Sequence, residues 1–316
     1  MTINLTDKIF TDEAAARAHL EAIRWPDGKP ACVHCGSVGR VYRLEGKAHR
    51  AGLFHCNDCG GQFTVTTGSV MESSHVPLNK WVLAFRLMAS SKKGISAHQL
   101  HRTIAVTYKT AWFMGHRIRE AMRDDAPTPL GGEGETIESD ETYWGPKDKD
   151  TDPRWRGRRK GKPGPGRKKA IMALVQRGGG SRALVMDRIR TTDLHRVLRE
   201  KASTKSNLMT DEGTSNNYEF ARHDRVKHSA LEYVRYDGDR KIHTNTVEGY
   251  FGVFKRGMRG TYQHCGEQHL QRYLDEFNFR YSNRIALGIA DAERALRAIK
   301  GAEGKRLTYQ GARAAK

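Results

Sequence analysis

The sequence predicts an α/β protein, a mixed sheet flanked by helices, behind an N-terminal metal-built module and a helical segment. Three observations lead there. Two cysteine pairs, Cys32-Val-His-Cys35 and Cys56-Asn-Asp-Cys59, stand with 20 residues between them. A helical pattern over 79–123 then stops at the Pro/Gly-rich stretch 124–135. Beyond it, short apolar runs of strand character alternate with helical spacing. A chain of 316 residues is long enough for two or three domains.

The charge balance narrows the partners. Lys and Arg number 55 against 36 Asp and Glu, a formal net charge of +19, which calls for a polyanion. No apolar run reaches the roughly 18 residues of a membrane span, and Met1 to Leu20 lacks the basic-then-apolar order of a secretory leader. Nucleic acid is therefore preferred over a membrane, in a cytoplasmic, nucleoid-associated protein. Four of the five cysteines lie in the two knuckles. Two CxxC pairs can close a tetrahedron of thiolates on one structural Zn²⁺, with Cys32, Cys35, Cys56 and Cys59 as ligands. His34 and His55 read as flanking residues, because four thiolates complete the shell. Gly36 and Gly60 each follow a second cysteine, where a knuckle often needs positive φ. Lone Cys265 reads as an ordinary reduced thiol.

Element by element, residues 9–24 predict a short amphipathic helix capped by Thr11 or Asp12. A zinc ribbon follows, with β segments such as 40–43 and 62–66. Three helices are expected over 79–123, the second starting at Ser96 and the third running from Tyr108 to Met122. A short turn between the last two, with Lys109, Arg117 and Arg119 facing outward, gives a helix-turn-helix-like pattern suited to DNA. Strands are expected at 135–143, 168–177, 182–189 and 206–211, with a helix at 192–202. The segment from Arg154 to Lys169 is dense in cations, including Arg154, Arg156, Arg158, Arg159 and Lys160. It reads as a flexible loop that contacts phosphates. Helices at 246–256 and 267–282 carry aromatic stripes that belong to a core. The resulting domains are 1–75, 76–130, 131–300 and a disordered basic tail, 301–316.

Three carboxylates mark candidate chemistry. Asp140 lies at the end of the first strand, Asp211 at the end of the fourth, and Glu248 on the following helix. Strand, strand, helix bearing Asp, Asp, Glu is the layout of an RNase H-like nucleotidyl-transfer site. Two Mg²⁺ ions, held by hard oxygen ligands about 3.5–4 Å apart, activate a water or a 3′-OH there. Strand alternation turns Glu141 away from Asp140's side, and Glu212 away from Asp211's. His243 or Thr244 is placed to cap the Glu248 helix, and Asn245 to touch DNA.

Glu138-Ser-Asp-Glu-Thr-Tyr-Trp-Gly145 and the run from His243 to Gly257 (HTNTVEGYFGVFKRG) resemble signature blocks of bacterial insertion-sequence transposases of the zinc-ribbon, ISXO-like DDE class. The run from His269 to Arg284 resembles their C-terminal helix, and Gly94 to Arg119 their segment after the ribbon. The resemblance covers roughly 25–285. It implies an RNase H-like DDE enzyme that cuts transposon ends and joins them to target DNA with Mg²⁺, Mn²⁺ serving as substitute. Asp140, Asp211 and Glu248 are then its metal-binding acids. Lys255, seven residues beyond Glu248 on the same helix face, is a phosphate ligand. Pairing two ends implies a homo-oligomer on DNA. Two rival readings stay open: a DNA-binding regulator without catalysis, and a nuclease that cuts without joining.

Overall fold

A computed structural model describes residues 4–145, 168–211 and 219–308. Helix α1 (Glu13–Arg24) opens where Asp12, not Thr11, accepts the Ala15 N–H at 2.7 Å. Its apolar side buries Ala16 and Leu20. Three short strands follow, β1 (Val41–Arg43), β2 (Phe54–Cys56) and β3 (Gln62–Phe63), paired antiparallel in that order. Trp25, Phe54 and Phe63 meet with ring centroids 5.3–6.1 Å apart, a small aromatic core for a module with few other apolar residues.

The helical segment forms α2 (Leu78–Ser90), α3 (Ala97–Ile104) and α4 (Tyr108–Met122). Ser96 accepts the Gln99 N–H and Thr107 the Thr110 N–H, so each helix of the α3–α4 pair starts on a hydroxyl cap. Ala105 ends α3 in the left-handed region. Leu100, Ile104, Ala111, Met114 and Ile118 are buried and Trp112 is half-buried. Lys109 is exposed as expected.

The outward placement of Arg117 and Arg119 is corrected. Arg119 is 5% exposed, and Arg117 is half-buried. Arg117 donates to the carbonyls of Glu72 and Leu307, both at 3.1 Å, and stacks on Phe113. Helical spacing alone puts an arginine such as Arg117 on the solvated side. Here the carbonyls of remote chain segments accept its fork, which spacing does not reveal.

The second unit, Asp124–Leu287, is built on one sheet. Its strands are β4 (Thr136–Trp144), β5 (Lys169–Gln176), β6 (Ser181–Met186), β7 (Asn207–Asp211) and β8 (Arg222–Val226), in the order β6-β5-β4-β7-β8. Strand β5 runs antiparallel to both neighbours, whereas β4, β7 and β8 are parallel. This is the RNase H-like mixed sheet. Helix α5 (Thr191–Lys201) makes the crossover from β6 to β7. Its Leu194, Val197 and Leu198 cover Ile137, Met172, Leu174 and Leu208 on one face. Between β8 and the next helix lies an antiparallel hairpin, β9 (Arg235–Asp237) and β10 (Arg240–Ile242). Helices α6 (Asn245–Gly257) and α7 (Leu270–Ser282) cover the other face, where Val247, Tyr250, Phe251, Phe254, Leu274 and Phe277 pack on Ile171, Ala173 and Val175. Met258–Tyr262 extends α6 as a π-helical turn.

Helix α8 (Asp291–Lys300) leaves this unit. Gly288–Lys316 clusters with Met1–Arg123, so the sheet unit ends at Leu287 and not at residue 300. Arg294 is buried and donates to Ala89 O at 3.1 Å. A Cβ on Gly301 would stand 2.3 Å from Ala121 O, so the chain passes too close there for any side chain. Ala302 is buried and the Lys305 ammonium donates to Arg123 O, so residues 301–308 are ordered in place of the disordered tail expected from Gly301 onward. Residues 309–316 lie outside the described residues.

Candidate functional site

The thiol centre is made by two turns of the same design. In each, the glycine after the second cysteine donates its N–H to the first cysteine's carbonyl: Gly36 to Cys32 at 2.8 Å, Gly60 to Cys56 at 2.9 Å. Each first cysteine then donates its N–H one residue beyond that glycine, Cys32 to Ser37 O and Cys56 to Gly61 O. Both glycines have positive φ, +76° and +70°, which closes the turn without Cβ strain. The four sulfurs lie within 4.8 Å of one another, with Cys32–Cys59 at 3.6 Å and Cys35–Cys56 at 3.7 Å. Zinc–sulfur bonds of about 2.3 Å require tetrahedron edges of about 3.8 Å. The donor set fits structural zinc. Against burial, the N–H groups of Cys35 and His34 bring the Cys32 thiol down to about 6. The Ser37 N–H favours the Cys35 thiolate, yet burial and the neighbouring sulfurs push it up to about 12. Four thiolates at this spacing need a cation. His34 faces Gln62 O instead, 3.3 Å from its ring nitrogen.

The second site lies on the α6 face of β4. Opposite partners in an antiparallel pair share a face, so Glu138, Asp140 and Thr142 point the same way as Val175, Ala173 and Ile171. Three successive polar positions thus interrupt an apolar layer. Such a conflict with binary pattern marks function more often than stability. Glu138 stands opposite Met209 in the parallel β4–β7 pair. Two residues further along both strands, Asp140 reaches the level of Asp211 on the same face. Burial raises the Asp140 carboxyl to about 6, the Glu141 N–H opposes this, and the charges of Asp211 and Glu248 push upward again. The three acids therefore share one field. Lys255 is the cation that pulls Asp140 back down. It sits two turns beyond Glu248 on α6, with Nζ 5.8 Å from the Phe251 ring.

Glu141 pairs with Met172 and points to the opposite, α5 face, as alternation predicts. Burial, then the Asp140 charge, raises its carboxyl to about 7. Asn245 is exposed at the start of α6. Its N–H donates to His243 Nδ1 at 3.3 Å, while the Thr244 hydroxyl donates to Glu248 Oε1 at 2.9 Å. Neither residue takes the next two N–H groups of the helix. Those go to Glu138, a residue the pattern reading passed over although its charge on Asp140's face was visible. Arg154, Arg156, Arg158, Arg159, Lys160 and Glu212 lie outside the described residues.

A four-thiol ribbon, a capped helical pair and an RNase H-like sheet carrying an acid triad define the class: a zinc-ribbon protein with a DDE-type domain. Comparison with known proteins agrees. Residues 129–282 match the ISXO2-like transposase domain, and residues 11–62 match the transposase zinc-ribbon domain. A relative from Halobacterium salinarum, described as an uncharacterized protein in transposable element ISH50, is 30% identical over 287 residues, 86% of this chain and 92% of that protein. The chain belongs to the ISXO2-like transposases. Among the described residues no helix is long and apolar enough to cross a membrane.

Proposed function

We propose that this transposase binds the ends of its element, cleaves them at the 3′ ends and joins them to target DNA. The observation that carries this reading is the co-facing of Asp140, in the middle of β4 rather than at its end, and Asp211, the last residue of the parallel strand β7, with Glu248 in the same electrostatic field. Carboxylates crowded this way favour divalent cations, and Asp140, Asp211 and Glu248 would hold two Mg²⁺, or Mn²⁺ in their place. Bound there, the ions supply Lewis acidity at the attacking and leaving oxygens. In cleavage, a water oxygen attacks the phosphorus, the strand breaks, and the freed 3′ oxygen takes a proton. In joining, that 3′-OH oxygen attacks a target phosphate and displaces the target's own 3′ oxygen. Both steps exchange one P–O bond for another, so one site serves both.

Lys255 holds a non-bridging phosphate oxygen beside the acids, and Asn245 contacts the DNA near the reacting strand. Arg154, Arg156, Arg158, Arg159 and Lys160 track the phosphate backbone. The zinc ribbon and the α3–α4 pair, with exposed Lys109, read the ends. Two protomers assemble on paired ends, in a cytoplasmic, nucleoid-associated complex. Asp140→Asn and Asp211→Asn test the reading. Each should abolish Mg²⁺-dependent cleavage of end DNA while zinc content and end binding persist. Unchanged cleavage in the variants refutes it, and end binding without any Mg²⁺-dependent cleavage by the wild type leaves a DNA-binding regulator. Cleavage without strand transfer in the wild type leaves a nuclease.

A further inference from the structure

Glu138 is fully buried, two residues before Asp140 on the same face of β4. Four donors converge on its carboxylate. Oε1 accepts Arg177 Nε at 2.6 Å and the Thr246 hydroxyl at 2.7 Å. Oε2 accepts the backbone N–H groups of Thr246 at 2.7 Å and Val247 at 3.0 Å. An ionised carboxylate offers about four acceptor directions. All are used, which leaves Glu138 no oxygen for a metal. Thr246 and Val247 lie in the first turn of α6, whose N–H groups have no partner within the helix and mark the positive end of its dipole. The helix is thus capped by a strand residue far upstream in the chain.

Arg177, in the turn after β5, completes the tie. While Nε holds Glu138, Nη1 donates to Lys241 O at 2.8 Å and Nη2 to His243 O at 2.9 Å. One guanidinium therefore joins the strand to the segment that enters α6. Glu248 itself is exposed, and its Oε1 accepts a hydrogen bond from Thr244 at the same helix entry. Its distance from the strand acids follows from how that entry is pinned.

We propose that Glu138 and Arg177 are positioning residues, which fix the first turn of α6 against β4 and so hold Glu248 with Asp140 and Asp211. This rests on the reading of those three acids as a metal site. Glu138→Gln keeps the shape but aims an NH₂ group at donors, so two of its four bonds become donor against donor. Arg177→Lys keeps the charge and loses the fork to the two carbonyls.

The test uses the full-length, zinc-loaded chain. Mn²⁺ binding is titrated by electron paramagnetic resonance without DNA, and cleavage of end DNA is measured against Mn²⁺ concentration. Supporting groups of this kind are worth about 10–100-fold in metal affinity or activity. Glu138→Gln should weaken Mn²⁺ binding by about that factor and shift half-maximal cleavage to higher Mn²⁺, with zinc content and metal-free DNA binding unchanged. Arg177→Lys should shift both the same way by less. Wild-type Mn²⁺ dependence in both variants overturns the tie. So does an unfolded Glu138→Gln beside an Arg177→Lys with wild-type Mn²⁺ dependence. Asp140→Asn is the reference: if it loses Mn²⁺ while the other two retain it, only the tie fails. If it too retains Mn²⁺, the acid-site reading fails and the tie with it.

Discussion

The thiol centre and the three acids are positioned by opposite means. The thiols are placed by two local turns, each closed by hydrogen bonds within five residues of its first cysteine. The acids are placed by a sheet register and a helix entry, from residues 140, 211 and 248. A local site needs its metal to fold, because little else holds it. A non-local site is built by the fold around it, and the fold bears the electrostatic cost while the metal is absent. The comparison predicts that zinc loss acts on structure, whereas loss of the acids acts on chemistry.

The largest effect should come from the thiols. Cys32→Ser with Cys56→Ser removes a centre whose binding is worth about 10–16 kcal/mol in small zinc modules. Zinc content should fall to zero by atomic absorption, and hydrogen exchange should show an unfolded segment around β1–β3. Specific end binding should disappear while Mg²⁺-dependent nicking of non-specific DNA remains. A ribbon that stays folded without zinc breaks the comparison.

Next come the acids. Asp211→Asn should cut single-turnover cleavage about 1000-fold, equivalent to about 4 kcal/mol of transition-state stabilisation. Its melting temperature should change little.

The third effect has the opposite sign. Asp140 titrates near 6 in the folded chain, against about 3.9 for an unperturbed aspartate. The folded state holds that proton more tightly, so the stabilising contribution is complete below about pH 4 and lost as pH rises through 6. At neutral pH the ionised side chain destabilises the metal-free sheet unit by about 1–3 kcal/mol. Asp140→Asn should therefore raise the urea midpoint at pH 7.5 in Mg²⁺-free buffer and leave it unchanged at pH 4. Equal midpoints at both pH values would show that the fold bears no such cost.

The smallest effect belongs to Lys255. Lys255→Ala should weaken DNA binding by about 1 kcal/mol and lower the slope of log affinity against log salt by about one. Fluorescence anisotropy between 50 and 200 mM salt would read both.

The same contrast explains what the chain discloses before folding. The cysteine spacing alone located the zinc ligands, because the turns that hold them are local. The start of α3 at Ser96 and the apolar runs of β5 and β6 were legible for the same reason. Strand β8 and the β9–β10 hairpin were not. Arg222-His-Asp-Arg-Val226 carries charges at three of five positions, and it becomes a strand by pairing with β7 at the sheet edge. Arg117 misled because its acceptors, the carbonyls of Glu72 and Leu307, come from distant segments. Asp140 and Asp211 could be named from their places on the expected strands, although Asp140 lies in the middle of β4 and not at its end, whereas Glu138's partners at 177, 246 and 247 follow only from tertiary structure.

The return of α8 to the first unit changes how an interrupted polypeptide behaves. The sheet unit is complete once Leu287 has been synthesised, but the unit that begins at Met1 still lacks Gly288 onward. Without Arg294, Ala89 O loses its donor, and without Ala302 the Val70 N–H loses its acceptor. A premature stop after Leu287 therefore leaves every proposed catalytic acid in a finished unit and the first unit open. On a ribosome, the portion made first is the last to close.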